Sequence, residues 1–107
     1  MPEGGRNLRI EVANTTSPTT VVLTGELDIA TAPRLREALI AISNGGETKV
    51  VVDMTNLTFM DSTGLAALVG PLKRFRSMNG QIVLRSPGRG VRKVLEISGL
   101  TRVFTIE

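Results

Sequence analysis

The N-terminal third of the chain alternates apolar and polar residues in two short stretches. Every second residue of 7–13 from residue 8 onward is aliphatic, which indicates a strand with one buried face. A second strand is predicted at 21–27, and turn-forming residues at 14–20 join the two strands as an antiparallel hairpin. Gly25 is expected to end the second strand, and it indicates a turn or a close approach.

Helical spacing first appears at 31–46, where apolar residues recur at i, i+3, i+4 and i+7. Thr31 is expected to cap this helix, and Pro33 suits its first turn, where a backbone N–H has no helical partner. Asn44 and Gly45 are typical of a helix end. We therefore predict a helix directly after the hairpin.

A continuous β-branched run follows at 49–54, and it predicts a central strand that is covered on both faces. Beyond it, aliphatic residues return to helical spacing from Leu65 to Leu72. Gly70 and Pro71 lie inside this second helix. Because Pro71 cannot donate a hydrogen bond to the carbonyl four residues earlier, we expect an interruption and a kink there.

The C-terminal part contains a turn and strand at 79–86, a short helix at 88–99 that stops at Gly99, and an edge strand at 101–107. The predicted order is β-β-α-β-α-β-α-β. This order indicates an α/β fold with a mixed sheet of four to five strands and helices packed against it. No linker or repeat interrupts the chain, so residues 1–107 are predicted to form one domain.

Composition narrows the range of functions. The chain has 107 residues, is 41% hydrophobic and contains neither His nor Cys. The commonest general base, the thiolate nucleophile and the main metal ligands are therefore missing, and we expect no enzymatic activity, no cofactor and no metal. No apolar run approaches the ~18 residues of a membrane helix, and the N-terminus has no signal-peptide core. A cytoplasmic location without membrane contact is expected.

The net charge of +3 and the pI of about 10.2 raise the possibility of nucleic-acid binding. Stacking aromatic residues and a recognition helix are not visible, so a solvated basic face is favoured and no direct nucleic-acid partner is expected. The basic residues concerned are Lys73, Arg74, Arg76, Arg85, Arg89, Arg92 and Lys93.

The stretch "NLTFMDSTGLAAL" at 56–68 joins the predicted central strand to the second helix and carries Asp61, Ser62, Thr63 and Gly64. These residue types suit a helix N-cap, which is the simpler interpretation. Gly64 argues for more, because glycine inside a helix costs about 0.5–1 kcal/mol relative to alanine and permits a close approach. In α/β sheets, functional sites gather at such carboxyl ends of strands.

Ser62 lacks the surroundings of a catalytic nucleophile. An activated serine needs an adjacent base, and the chain has no His and no obvious Lys neighbour. The stretch also differs from the "GxSxG" elbow and from a phosphate-binding loop. The remaining interpretation is that Ser62 is itself covalently modified. Phosphoserine at a helix N-terminus costs the fold little, but it repels an acidic partner surface by about 4 kcal/mol at ~4 Å and an effective dielectric of 20.

"MDSTGL", preceded by "VVVDMTNLTF", resembles the signature of bacterial anti-sigma factor antagonists of the STAS family. "GELDIATAPRLREAL" resembles the first-helix region of that family, and "VRKVLEISGL" resembles its late helix. The three segments occur in the same order and cover nearly the whole chain. The resemblance implies a single STAS-like domain that is a monomer or weak homodimer. This chain departs from the family pattern at its end: it stops at Glu107, so the C-terminal helix common in the family is expected to be short or missing.

The resemblance also implies a mechanism. The unphosphorylated chain would bind an anti-sigma factor that is itself a serine kinase of the GHKL fold, which frees a sigma factor. Phosphorylation of Ser62 would end binding, and a serine phosphatase would restore it. Thr63 is a second, less favoured acceptor, and Asp28 matches an acidic position at the same edge, with a solvated loop acid as the alternative. The implied partner-binding residues are Asp28, Asp61, Ser62, Thr63, Gly64 and Leu65.

Two other functions stay open at this point. A STAS subunit could regulate a transporter or a multi-protein stress complex, although no transporter helices are fused to this sequence. A small nucleic-acid or nucleotide binder would show salt-sensitive binding to DNA or a melting temperature that depends on nucleotide. A regulatory binding module that is a kinase substrate is the main prediction.

Overall fold

The computed structural model describes residues 7–13 and 18–107, and it has the predicted order of strands and helices. The turn predicted at 14–20 falls largely on residues 14–17, which lie outside the described residues, while Thr19 and Thr20 already belong to the second strand. The elements are β1 (Leu8–Ala13), β2 (Thr19–Leu27), α1 (Ala32–Asn44), β3 (Lys49–Met60), α2 (Ser62–Ser77), β4 (Gln81–Arg85), α3 (Arg89–Ile97), a 3-10 turn (Leu100–Arg102) and β5 (Thr105–Ile106).

The five strands form one mixed sheet in the order β1-β2-β3-β4-β5. β1 pairs antiparallel with β2, and the other three pairings are parallel, so the hairpin and the α/β class are confirmed. The three parallel crossovers step across the sheet in one direction. Because such crossovers share one hand, α1, α2 and α3 lie on the same face, and their apolar sides join one hydrophobic cluster with the sheet.

The prediction that the run at 49–54 is covered on both faces is wrong. Val50 and Val52 point into the cluster beneath the helices, whereas Val51 belongs to the opposite face and is not part of it. Val51 is nevertheless buried, because it lies between Thr20 and Val83 on the paired strands. In the part of the chain that the structure describes, all three helices lie on the other face, so cross-strand neighbours explain the continuous β-branched run.

β3 is longer than predicted and continues to Met60. Its pairing with β4 ends at Asp53, while its pairing with β2 continues to the end of the strand through two register shifts. Gly25 lies at one of these shifts with φ 116°, and a Cβ there would lie 2.9 Å from the carbonyl carbon of Asn7. The close approach predicted at Gly25 is thus confirmed, but β2 continues beyond it to Leu27.

α2 runs without interruption from Ser62 to Ser77, so the predicted interruption at Gly70 and Pro71 is wrong, whereas the kink stays a prediction. Pro71 is buried in the core, where its ring adds to the apolar packing. Proline disfavours a helical conformation for the residue before it, by a clash with that residue's Cβ. Gly70 has no Cβ, and we infer that this lets the helix pass through the proline.

The C-terminal strand is shorter than predicted. Residues Leu100–Arg102 form a 3-10 turn, and only Thr105–Ile106 pair with β4. The reason lies in Gly99, whose φ of 72° ends α3 as predicted and turns the chain into the 3-10 segment. Phe104 then anchors the end of the chain in the core before β5 begins.

Candidate functional site

Ser62 is the first residue of α2 and follows directly on the end of β3. Asp61 is the N-cap, since its carboxylate accepts a hydrogen bond of 2.8 Å from the backbone N–H of Gly64. The interpretation of this stretch as a helix N-cap is therefore correct for Asp61, and the Ser62 side chain takes no part in capping. The Ser62 side chain is exposed, and its hydroxyl has no hydrogen-bond partner within 7–13 and 18–107.

Two buried residues, Gly64 and Leu65, hold the start of α2 against the sheet. A Cβ on Gly64 would overlap the carbonyl oxygen of Leu27 and lie 2.8 Å from its carbonyl carbon, so the start of α2 packs directly on the end of β2. The backbone N–H of Asp61 also donates to the same carbonyl oxygen, at 3.4 Å. The close approach predicted at Gly64 is confirmed, and the approaching group is the chain's own backbone. Leu65 is 3% exposed and packs in the core.

The turn from β2 to α1 lies beside Ser62, because Leu27 and Met60 are paired residues and the two loops follow them. Asp28 shapes this turn. Its carboxylate accepts hydrogen bonds from the backbone N–H groups of Ala30, at 2.9 Å, and Thr31, at 3.1 Å. The Asp28 side chain is only partly exposed, and it is a structural part of the turn as well as a negative charge at this edge.

Thr31 does not cap α1, contrary to the prediction, because its side chain makes no cap hydrogen bond. The buried hydroxyl instead donates to the carbonyl oxygen of Glu26 and accepts from the backbone N–H of Asp28, both at 2.9 Å. Thr31 thereby closes the β2–α1 turn from inside. The residues expected at one edge do meet there, and the sequence spacing Asp-x-x-Thr is the signal for this turn.

We use the name switch surface for Asp28, Ile29, Asp61, Ser62 and Thr63. Ile29 was not predicted, yet its side chain is 74% exposed at the tip of the β2–α1 turn. In the sequence Ile29 is only an aliphatic residue between the turn-forming residues Asp28 and Thr31, which does not distinguish an exposed side chain from a buried one. Two acidic side chains, two hydroxyls and one aliphatic side chain thus share the surface around the start of α2.

The positive end of α2 lies at this surface beside the carboxylates of Asp28 and Asp61. The first backbone N–H groups of a helix have no helical acceptor and favour negative charge. Asp61 occupies the N–H of Gly64, so the first-turn N–H groups of Ser62 and Thr63 remain for other acceptors. An anionic group on Ser62 is therefore compatible with the folded chain.

Several other features of the described residues lie away from this surface or contribute nothing to it. A recess of about 620 Å³ lies between β1 and the end of α1, away from Ser62. Among residues 7–13 and 18–107, no three metal-ligating side chains cluster, and no helix has the length and apolar character to cross a membrane. Hydrogen bonds from Thr55, together with Arg85, lower the pKa of Asp53, but Asp53 lies on the face of the sheet opposite the three helices.

Comparisons with known proteins agree on one family. The model of the STAS domain matches residues 9–107. An anti-sigma-B factor antagonist of Staphylococcus aureus is 33% identical over 94 residues, which are 88% of this chain and 87% of that protein. The unphosphorylated anti-sigma factor antagonist SpoIIAA superposes with a TM-score of 0.79 at 28% identity, covering 92% of this chain and 88% of the other. The phosphorylated form of SpoIIAA, a cell fate determinant of Bacillus, gives a TM-score of 0.69 at 28% identity, covering 92% and 91%.

Proposed function

The chain belongs to the STAS domain family, and from this membership we propose that it is an anti-sigma factor antagonist. In this role the unphosphorylated chain binds an anti-sigma factor and frees a sigma factor for transcription. Relatives that carry this function in their names match along most of their length and most of this chain. The proposal extends to a regulatory binding module, not an enzyme, that acts in the bacterial cytoplasm as a monomer or weak homodimer.

We propose further that Ser62 is the phosphoacceptor of the switch. The anti-sigma factor would be a serine kinase of the GHKL fold, and a serine phosphatase would reverse the modification. The observation that carries this assignment is the placement of Ser62, exposed at the first position of α2 with an unoccupied hydroxyl. The similarity to a relative known in a phosphorylated form supports phosphorylation as the means of control.

Charge repulsion explains why one phosphate would suffice. A phosphoserine carries about −1.5 to −2 charges at pH 7. In the free chain the phosphate faces solvent and the positive end of α2, so folding is little affected. Against an acidic partner surface ~4 Å away, the repulsion is about 4 kcal/mol at an effective dielectric of 20, which corresponds to roughly a thousandfold loss of affinity.

The other candidate residues divide into two roles. Asp28, Asp61 and Thr63 reach the surface and would contact the partner directly. Gly64 and Leu65 are buried, so they would act by holding Ser62 in place. We also propose that residues 1–107 form one STAS domain, since a single hydrophobic cluster joins the described helices and strands.

The proposed function is tested with the purified anti-sigma factor of the host and three variants. Ser62→Ala should bind with wild-type affinity but resist switching in the presence of ATP, while Ser62→Asp should bind far more weakly. Ser77→Asp places the same charge at the exposed far end of α2 and should bind normally. If Ser62→Asp bound as tightly as wild type, the repulsion mechanism would be wrong.

A further inference from the structure

Four large apolar side chains are strongly exposed among the described residues: Val12, Ile29, Phe59 and Ile97. Ile29 differs from an ordinary exposed residue because its backbone is held rigidly. The flanking Asp28 and Thr31 close the turn with hydrogen bonds from both sides of Ile29. The side chain is therefore presented to solvent by a fixed turn, which lowers the entropy cost of a contact made there.

Ile29 forms one wall of a shallow groove of about 300 Å³ between the first turns of α1 and α2. Small side chains form its floor because α1 and α2 pack closely at this end. Thr63 lies in the groove next to the proposed phosphoacceptor, and Arg36 lies one turn further along α1. Within the described residues Arg36 has no acidic partner. The lining residues are Ile29, Ala32, Pro33, Arg36, Thr63, Ala66 and Ala67.

Resting on the proposed function, we propose that this groove receives an aliphatic side chain of the anti-sigma factor, with a neighbouring carboxylate of that partner on Arg36. Two observations select this occupant. Thr63 belongs to both the groove and the switch surface, so a partner that covers Ser62 reaches the groove without a gap. The switch also requires negative charge on the partner near Ser62, and Arg36 supplies the complementary positive charge.

This arrangement separates affinity from control. Contacts in the groove, above all those of Ile29, supply most of the binding affinity. Ser62 lies at the rim of the interface, where its phosphorylation ends binding. Hot spots of protein interfaces are of this kind, a few buried side chains surrounded by contacts that contribute little. Removal of the Ile29 side chain should therefore weaken binding in both the presence and the absence of ATP.

The chain offers a matched control for this test. Ile97 is the same residue with nearly the same exposure, 77% against 74%, and it lies at the last residue of α3. Each helix runs antiparallel to the strand that it follows. The C-terminal end of α3 therefore lies at the amino ends of the parallel strands, whereas Ser62 lies at their carboxyl ends. Ile29→Ser and Ile97→Ser thus make an identical chemical change at the two ends of the molecule.

Titration calorimetry with the purified host anti-sigma factor measures the outcome. Ile29→Ser should weaken binding about 10- to 100-fold, because the partner no longer buries this side chain, while Ile97→Ser should bind as wild type. Arg36→Glu should weaken binding about tenfold at low salt, and Arg36→Lys should retain most of the affinity.

The results distinguish this inference from the proposed function. If Ile29→Ser matched Ile97→Ser in affinity while Ser62→Asp lost binding, the groove would be refuted and the switch would stand. If wild type failed to bind the anti-sigma factor, the proposed function itself would fall, and the groove assignment with it. The melting temperatures of Ile29→Ser and Ile97→Ser should match wild type within a few degrees, since both isoleucine side chains are exposed.

Discussion

Gly64→Ala is the substitution that most directly tests how the start of α2 is held. The added Cβ would overlap the carbonyl oxygen of Leu27 and lie 2.8 Å from its carbonyl carbon and 2.9 Å from its Cγ. Because the main obstacle is backbone, it cannot rotate away. Alanine would otherwise favour the helix by about 0.5–1 kcal/mol. Overpacking of this kind costs about 1–3 kcal/mol, so we expect a net loss of about 1–2 kcal/mol.

Gly90→Ala is the control, since Gly90 is also in the first turn of a helix. Apart from its chain neighbours and the backbone of its own helix, a Cβ at residue 90 has no atom within 4 Å, so only the gain in helix propensity remains. Thermal unfolding followed by circular dichroism gives the comparison. At about 4–8 °C per kcal/mol, Gly64→Ala should melt about 5–15 °C below wild type, and Gly90→Ala at or slightly above it. A Gly64→Ala chain as stable as wild type would refute the close packing of α2 on β2.

Two threonine substitutions test other parts of the structure. Thr31→Val leaves both hydrogen-bond partners of a fully buried hydroxyl unpaired and should lower the free energy of unfolding by about 1–3 kcal/mol per group. Thr58→Val removes an exposed hydroxyl and should change the melting temperature little. Equal losses in the two variants would contradict the buried β2–α1 turn. Thr55→Val should raise the pKa of Asp53 in an NMR titration. Because the folded-state pKa is lowered, the contribution of Asp53 to stability is present above the usual carboxyl range and is lost as pH falls through the folded value, so Thr55→Val should lose its fold at a higher pH. An unchanged Asp53 pKa would assign the effect to the backbone N–H of residue 55, which valine keeps, and to Arg85.

The element order followed from the sequence because each element carries its own periodic pattern. Two-residue alternation marked β1, and helical spacing marked α1 and α2. The hairpin and the parallel crossovers then left little freedom in topology. The position of Ser62 at the start of α2 followed in the same way, since it lies between the end of a strand pattern and the beginning of a helix pattern.

Tertiary contacts decided the points that local patterns could not. Thr31 has the side chain of a helix cap, but the nearby carbonyl of Glu26 and the N–H of Asp28 use its hydroxyl instead. Val51 appeared to need a second layer of helices, although its neighbours on paired strands bury it. Pro71 was expected to interrupt α2, yet the helix continues through it after a glycine.

The exposure of Ile29 could not be predicted for a related reason. An aliphatic residue in a polar loop is equally compatible with a side chain folded into the core. Only the hydrogen bonds of the turn from Asp28 to Thr31 determine that this side chain points to solvent. Sequence patterns indicated the acidic and hydroxyl residues of the switch surface, and the structure added its aliphatic member.

The central claim is that phosphorylation at Ser62 dissociates the complex with the anti-sigma factor. The most direct measurement is to incubate the chain with the purified anti-sigma factor and ATP, map the phosphate by mass spectrometry, and measure the affinity of the isolated phosphorylated chain. We predict one phosphate on Ser62 and an affinity lowered roughly a thousandfold. A phosphate located elsewhere, or a phosphorylated chain that binds as tightly as the unmodified one, would contradict the account.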